Sequence, residues 1–122
     1  MRVARISCLF FIVLALVACA SFTTNAYKTL AVSQQTYDVT LSTLGDLYKA
    51  GKLTDAQKDK AIALGGLYKK SHNEAVSALL LYDASDVSTQ EKAKQAYLMA
   101  AADAAKRLAD LIEYAKPFLG GK

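Results

Sequence analysis

Apolar residues recur every three or four positions through most of the chain, which is the spacing of one helix face. The first such segment, about 26–50, carries a row of mainly apolar and aromatic side chains: Tyr27, Leu30, Gln34, Tyr37, Leu41, Leu44 and Tyr48. Residues 37–44 also alternate in the manner of a strand. Because no turn residues bound that stretch and the helical row continues on both sides, we predict a helix that ends at Gly51.

Two motifs mark the starts of two further helices. Thr54-Asp55-Ala56-Gln57 and Ser88-Thr89-Gln90-Glu91 both match the capping box, in which a hydroxyl oxygen accepts a backbone N–H and the Gln or Glu side chain reaches back. We predict helices over about 55–83 and 89–116, with a polar connector between them. Their inward rows are Ala61, Leu64, Tyr68, Ala75, Leu79 and Tyr82, and then Ala93, Tyr97, Ala100, Ala104, Leu108, Leu111 and Ala115.

Three long helices with short connectors predict an all-α fold, an antiparallel three-helix bundle over residues 26–116. Gly65-Gly66 falls in the middle of the second helix. Each glycine costs up to about 1 kcal/mol relative to alanine there, so the pair predicts a close helix approach or a kink, with a complete break as the less favoured alternative. Pro117 is expected to stop the third helix, which leaves a flexible tail over 117–122.

The first 18 residues differ from the rest of the chain. They contain 15 apolar residues, with Arg2 and Arg5 near the start, and the apolar run 6–18 is broken only by Ser7. These 13 positions span about 20 Å as a helix, short of the roughly 30 Å hydrocarbon core of a bilayer. We therefore predict that 1–18 is a cleaved signal peptide.

The segment ends in Leu16-Val17-Ala18-Cys19, with leucine three residues before the cysteine and a small residue directly before it. This motif resembles the lipobox of bacterial lipoprotein precursors. The resemblance implies that Cys19 becomes the mature N-terminus, with a diacylglycerol on its sulfur and usually another acyl chain on its amine. Ala20 is similar to the residue found in lipoproteins destined for the outer membrane, where an aspartate would imply retention in the inner membrane.

Residues 19–25 are then the lipidated cysteine and a short tether. Six extended residues reach at most about 20 Å, so the bundle is expected close to the membrane surface. Cys8 leaves with the signal and Cys19 is acylated, so no disulfide is expected. Two alternatives stay open: an ordinary signal peptide cleaved after Ala18 or Ala20, and an uncleaved anchor.

The composition of the chain argues against several classes of function. Without Arg2 and Arg5 the chain has 13 basic and 11 acidic residues, a net charge of +2 with no basic stripe, so we predict no nucleic-acid binding. His72 is the single histidine and there are two cysteines, which argues against a protein-built metal site. No CxxCH, GxSxG or SxxK motif is present. We therefore predict a protein that is not an enzyme and needs no cofactor.

The first helix has an unusual distribution of charge. Residues 26–50 carry four charged side chains, whereas 86–116 carry ten. The face expected to point outward is rich in hydroxyls: Ser33, Gln35, Thr36, Thr40, Ser42 and Thr43. Because interfaces are depleted of charge, we predict that Ser33, Thr36, Thr40 and Thr43 form a face for a partner protein or a second copy. A simply solvated face is the alternative.

These features favour a small lipid-anchored module that binds or scaffolds at a bacterial envelope. One alternative is a carrier of a small hydrophobic ligand in a bundle interior lined by tyrosine and alanine, which would show a dry cavity. Another is a prophage-type immunity or exclusion lipoprotein, an analogy of size and anchor. The C-terminal Lys122 resembles that of the major murein lipoprotein, which is coupled to peptidoglycan.

Overall fold

The structure is a computed structural model that describes the backbone of residues 2–120 and the side chains of residues 22–120. It contains three helices, α1 (Arg2–Lys49), α2 (Asp55–Ala84) and α3 (Val87–Leu119), and no strand within those residues. The antiparallel three-helix bundle is confirmed, and the strand alternative for residues 37–44 is wrong. The cleavage of a signal peptide concerns residues 1–18, whose side chains lie outside the described part.

The segment expected to be a tether is helical instead, because 19–25 lie within α1. Phe22 already belongs to the packed bundle: its ring contacts those of Tyr82 and Tyr97 edge-on at centroid distances of 5.0 and 5.5 Å. The Thr23 hydroxyl donates a hydrogen bond to Asp83 at 3.1 Å. Polar residues that look like a linker in the sequence therefore hold the start of the bundle.

The first predicted capping box is confirmed and the second is wrong. The Thr54 side chain accepts the Gln57 N–H at 3.1 Å, and the Thr54 N–H donates to Gln57 Oε1 at 2.9 Å. In α3 the N-cap is Asp86, whose carboxylate accepts the Ser88 and Thr89 N–H groups at 3.1 Å each. The hydrogen bond from the Ser88 hydroxyl, followed by those from the Thr89 N–H and hydroxyl, holds the pKa of Asp86 below its usual range. A carboxylate also complements the helix dipole, which favours it over the Ser88 hydroxyl as the cap.

The third helix also ends later than expected. Pro117 lies inside α3, which continues to Leu119. A proline lacks an N–H, but in the last turn this removes a single backbone hydrogen bond. The Gly120 N–H still reaches the Lys116 carbonyl at 3.1 Å, so the turn closes beyond the proline.

The core is formed by two groups of buried side chains along the bundle, and α2 and α3 share most of the close contacts between helices. One group lies toward the α1–α2 connector: Tyr37, Leu44, Leu53, Ala61, Tyr68, Ala104, Leu111 and Ala115. The other lies toward the α2–α3 turn: Ala26, Leu30, Ala75, Leu79 and Tyr97. Each fully buried large side chain, such as Leu79 or Leu111, stabilises the fold by about 1.5–3 kcal/mol.

The glycine pair does not break α2, which continues through both residues. Gly65 is buried against α1, and a Cβ at this position would lie 3.2 Å from Tyr37 Cε2 and 3.3 Å from Leu41 Cδ1. Gly66 is exposed, and a Cβ there would meet nothing within 4 Å. The predicted close approach is therefore a property of Gly65 alone.

This difference predicts opposite outcomes for two matched substitutions. Gly66→Ala should raise the free energy of unfolding by roughly 0.5–1 kcal/mol, because alanine favours the helix and the space is open. The free energy of unfolding of Gly65→Ala should be lower than that of Gly66→Ala by at least about 1 kcal/mol, because the new methyl group must displace the Tyr37 ring. Urea unfolding followed by circular dichroism measures both, and equal values would contradict the close contact.

Candidate functional site

The four residues predicted as a partner-binding face lie toward the inside of the bundle. Thr40 is 7% exposed, and Ser33, Thr36 and Thr43 are half-buried. The outward position predicted for Thr40 is therefore wrong, while the other three side chains are partly exposed. Whether they contribute to binding a partner stays a prediction.

Hydroxyl groups along α1 are satisfied by the helix itself. Thr40 Oγ1 donates to the Thr36 carbonyl at 2.8 Å, and Thr36 Oγ1 donates to the Val32 carbonyl at 3.0 Å. Thr43 Oγ1 makes the same contact with Val39 O at 2.8 Å. A threonine bonded to the carbonyl four residues earlier leaves a methyl group to pack, so burial costs little. The hydroxyl side chains alone predicted a solvent-exposed surface. The hydrogen bonds to carbonyls of the same helix explain why these threonines can be buried instead.

A cluster of polar aromatic contacts joins α1 to α2. Tyr68 is fully buried, and its hydroxyl shares a hydrogen bond with Ser33 Oγ at 2.6 Å. The Tyr37 and Tyr68 rings lie 4.7 Å apart, and His72 Nε2 lies 3.3 Å from the Leu30 carbonyl oxygen. Burial raises the pKa of the Tyr37 and Tyr68 hydroxyls, so both stay protonated at neutral pH. Both tyrosines are core residues, and the Tyr68 hydroxyl has Ser33 as its hydrogen-bond partner.

An apolar groove of about 350 Å³ runs between α1 and α3. It exists because the α3 side chains that face α1 are mostly alanines, which are too short to fill the space. Sequence reasoning missed it because the alanines of α3 occupy more than one helix face, and only one face was assigned inward. The lining residues are Thr29, Leu30, Val32, Ser33 and Thr36 of α1, and Ala101, Ala104, Ala105, Leu108, Ala109 and Ile112 of α3.

A polar contact joins α2 to α3 on another side of the bundle. Ser71 Oγ donates a hydrogen bond to Asp103, and Arg107 Nε lies 3.6 Å from the other oxygen of this carboxylate. The neighbouring His72 ring turns away toward the Leu30 carbonyl. The carboxylate thus bridges two helices and pairs with an arginine. Among the described residues no group of three or more His, Cys, Asp or Glu side chains is placed to hold a metal ion.

Comparisons of the chain with protein-family models, with curated proteins and with solved structures find no match. The functional argument therefore depends on the residues of this chain. Cys19, the predicted lipidation site, and the leader 1–18 lie outside the residues whose side chains are described. Between residues 22 and 120, no helical segment combines the length and apolarity needed to cross a membrane.

The inward position of Thr40 predicts a large difference between two lysine substitutions on α1. Thr40→Lys should lower the free energy of unfolding by roughly 2–3 kcal/mol, because a buried ammonium group loses its hydration. Ser42→Lys, at an exposed position two residues away, should change it by less than about 0.5 kcal/mol. Chemical unfolding of both variants tests this, and a stable Thr40→Lys protein would restore the outer-face interpretation.

Proposed function

We propose that this chain is a small lipid-anchored protein of the bacterial envelope that acts by binding or scaffolding rather than by catalysis. The observation that carries the proposal is Leu16-Val17-Ala18-Cys19, placed directly after a basic start and an apolar run. Acyl chains on Cys19 would make the attachment durable, since each buried CH₂ contributes about 0.8 kcal/mol. Ala20 favours the periplasmic leaflet of the outer membrane over the inner membrane.

The packing of the bundle supports an anchor close to the domain. Phe22 is already packed between two tyrosines, and it lies only three positions after Cys19. Even fully extended, three residues reach about 10 Å. The bundle would therefore sit directly on the membrane surface.

Association through α1 is part of the proposal, with a corrected set of residues. A row of exposed positions on α1, spaced by three or four residues, carries Val32 at the rim of the groove toward α3 and then Gln35, Val39 and Ser42. All four are exposed and uncharged, and Val32 and Val39 are 63% and 59% exposed. This stretch supports contact with a partner protein or a second copy, because its four side chains are uncharged and the charged residues in line with it, Lys28 and Asp46, lie at its two ends.

The anchor is tested by two cysteine substitutions. Cys19→Ser should abolish incorporation of labelled fatty acid and lipoprotein-type processing, because the acyl-bearing sulfur is gone. Cys8→Ser is the matched control and should be labelled and processed like the wild type, because it leaves Leu16-Val17-Ala18-Cys19 intact. Metabolic labelling and membrane fractionation measure both. Unchanged labelling of Cys19→Ser would contradict the proposal.

A carrier of a small apolar ligand is the second candidate, favoured by the groove between α1 and α3. Its volume of about 350 Å³ falls within the range of known ligand sites. The Thr36 hydroxyl at its edge is already bonded within α1, so the groove offers mainly methyl groups. Such a surface suits an acyl chain better than a polar molecule.

The carrier candidate predicts saturable binding of a fluorescent fatty acid by the purified protein. Ala105→Trp should reduce this binding at least tenfold, because the indole fills the groove. Ala63→Trp, at an exposed alanine of α2, should leave it unchanged. Titration by fluorescence anisotropy measures the affinity, and equal binding by the two variants would exclude the groove as the site.

A further inference from the structure

The end of the bundle at the α2–α3 turn exposes large apolar side chains. Leu80 and Leu81, near the end of α2, are 56% and 59% exposed, and Val87, the first residue of α3, is 88% exposed. Packing within the bundle does not require an apolar residue at Val87. The first turn of α3 also lacks an acidic residue, although acidic residues are favoured there by the helix dipole.

This turn lies level with the place where α1 meets the leader. The Phe22 ring contacts Tyr82, and both Thr23 and Tyr27 donate hydrogen bonds to Asp83, at 3.1 and 3.2 Å. From Tyr82 to the end of α2 is two residues, about 3 Å along the axis. From Phe22 back to position 19 is three residues of the same helix, about 4.5 Å. The α2–α3 turn and position 19 therefore lie at about the same height along the axis of the bundle.

At this end of the bundle Asp83 and Asp86 accept hydrogen bonds, whereas the two nearby lysines have no anionic partner among the described residues. Asp83 accepts the two hydroxyls of α1, and the Asp86 carboxylate caps α3. Lys92 lines a shallow depression together with Leu81, and Lys94 Nζ lies 5.1 Å from the centre of the Phe22 ring. Neither lysine forms an ion pair within residues 22–120.

We infer that the α2–α3 turn is a second membrane contact, which places Leu81 and Val87 in the headgroup region of the leaflet that holds the acyl chains of Cys19. This inference rests on the proposed lipid anchor. The occupant of the apolar surface is a phospholipid bilayer, because the lipid-bearing residue is three positions from Phe22 and at the level of the turn. The exposed Lys92 faces the lipid phosphates, and Lys94 lies beside Phe22 at the same end of the bundle.

The test uses the full chain, purified with its acyl chains and placed in vesicles of phosphatidylethanolamine and phosphatidylglycerol. A polarity-sensitive fluorophore is attached to Val87→Cys, to Leu81→Cys and, as the matched control, to Val39→Cys. Val39 is exposed to the same extent as Leu81, 59%, but lies 17 residues beyond Phe22, about 25 Å along α1. Lipids with a spin label on the headgroup should quench positions 81 and 87 several-fold more than position 39. Circular dichroism confirms that each variant is folded.

The wild-type chain shows whether a negative result concerns the membrane contact of the α2–α3 turn or the lipid anchor on Cys19. It reacts with the thiol reagent only when Cys19 is not acylated, since Cys8 is removed with the leader. A wild-type chain that is unreactive and bound to vesicles, combined with equal weak quenching at 39, 81 and 87, would overturn the membrane contact and leave the anchor standing. A reactive wild-type chain that stays out of the vesicles would overturn both.

Discussion

The buried hydroxyl of Tyr68 is the constraint on which the placement of α1 depends. The ring is fully enclosed, and a phenol in such a position needs a hydrogen-bonding partner. Ser33 supplies it, and Tyr37, one helical turn further along α1, stacks on the same ring. Because residues four apart share a helix face, these two contacts fix the rotation of α1 about its axis. That rotation turns Thr40 inward and leaves Val39 in solvent.

The three helices are held together by two different kinds of packing. α2 and α3 approach closely along most of their length, aided by alanines such as Ala75 and Ala104. α1 contacts this pair through large side chains, chiefly Tyr37 and Leu44, and the absence of a side chain at Gly65 of α2 makes room for the Tyr37 ring. Large side chains at both ends and alanines between them leave α1 and α3 apart in the middle. The groove is therefore a consequence of how α1 is supported.

The helices and the main inward rows were predictable from the sequence, because periodicity and capping act over a few residues. The capping box at Thr54 and the close approach at Gly65 both follow from local chemistry. The rotation of α1 was not predictable in this way, since it is set by Tyr68 from another helix. Residue polarity then misled the assignment of Thr40, because its hydroxyl bonds to the Thr36 carbonyl and its methyl group packs. The N-cap of α3 was predicted at Ser88 but is Asp86, because the turn after α2 is short and α3 already begins at Val87.

A single lipid-bearing N-terminus would let a rod-shaped domain tilt freely, and the proposed contact at the α2–α3 turn changes that. Two attachment points side by side, one at the end of α1 and one at Val87, would hold the helices upright on the bilayer. Thr29 and Thr36 are 7 and 14 residues beyond Phe22, so the groove would stand roughly 10–20 Å above the membrane plane. The exposed residues Val32 and Val39 would stand at similar heights and face sideways. A partner that uses this face must therefore itself lie close to the membrane, which restricts it to envelope proteins or to another copy anchored in the same leaflet.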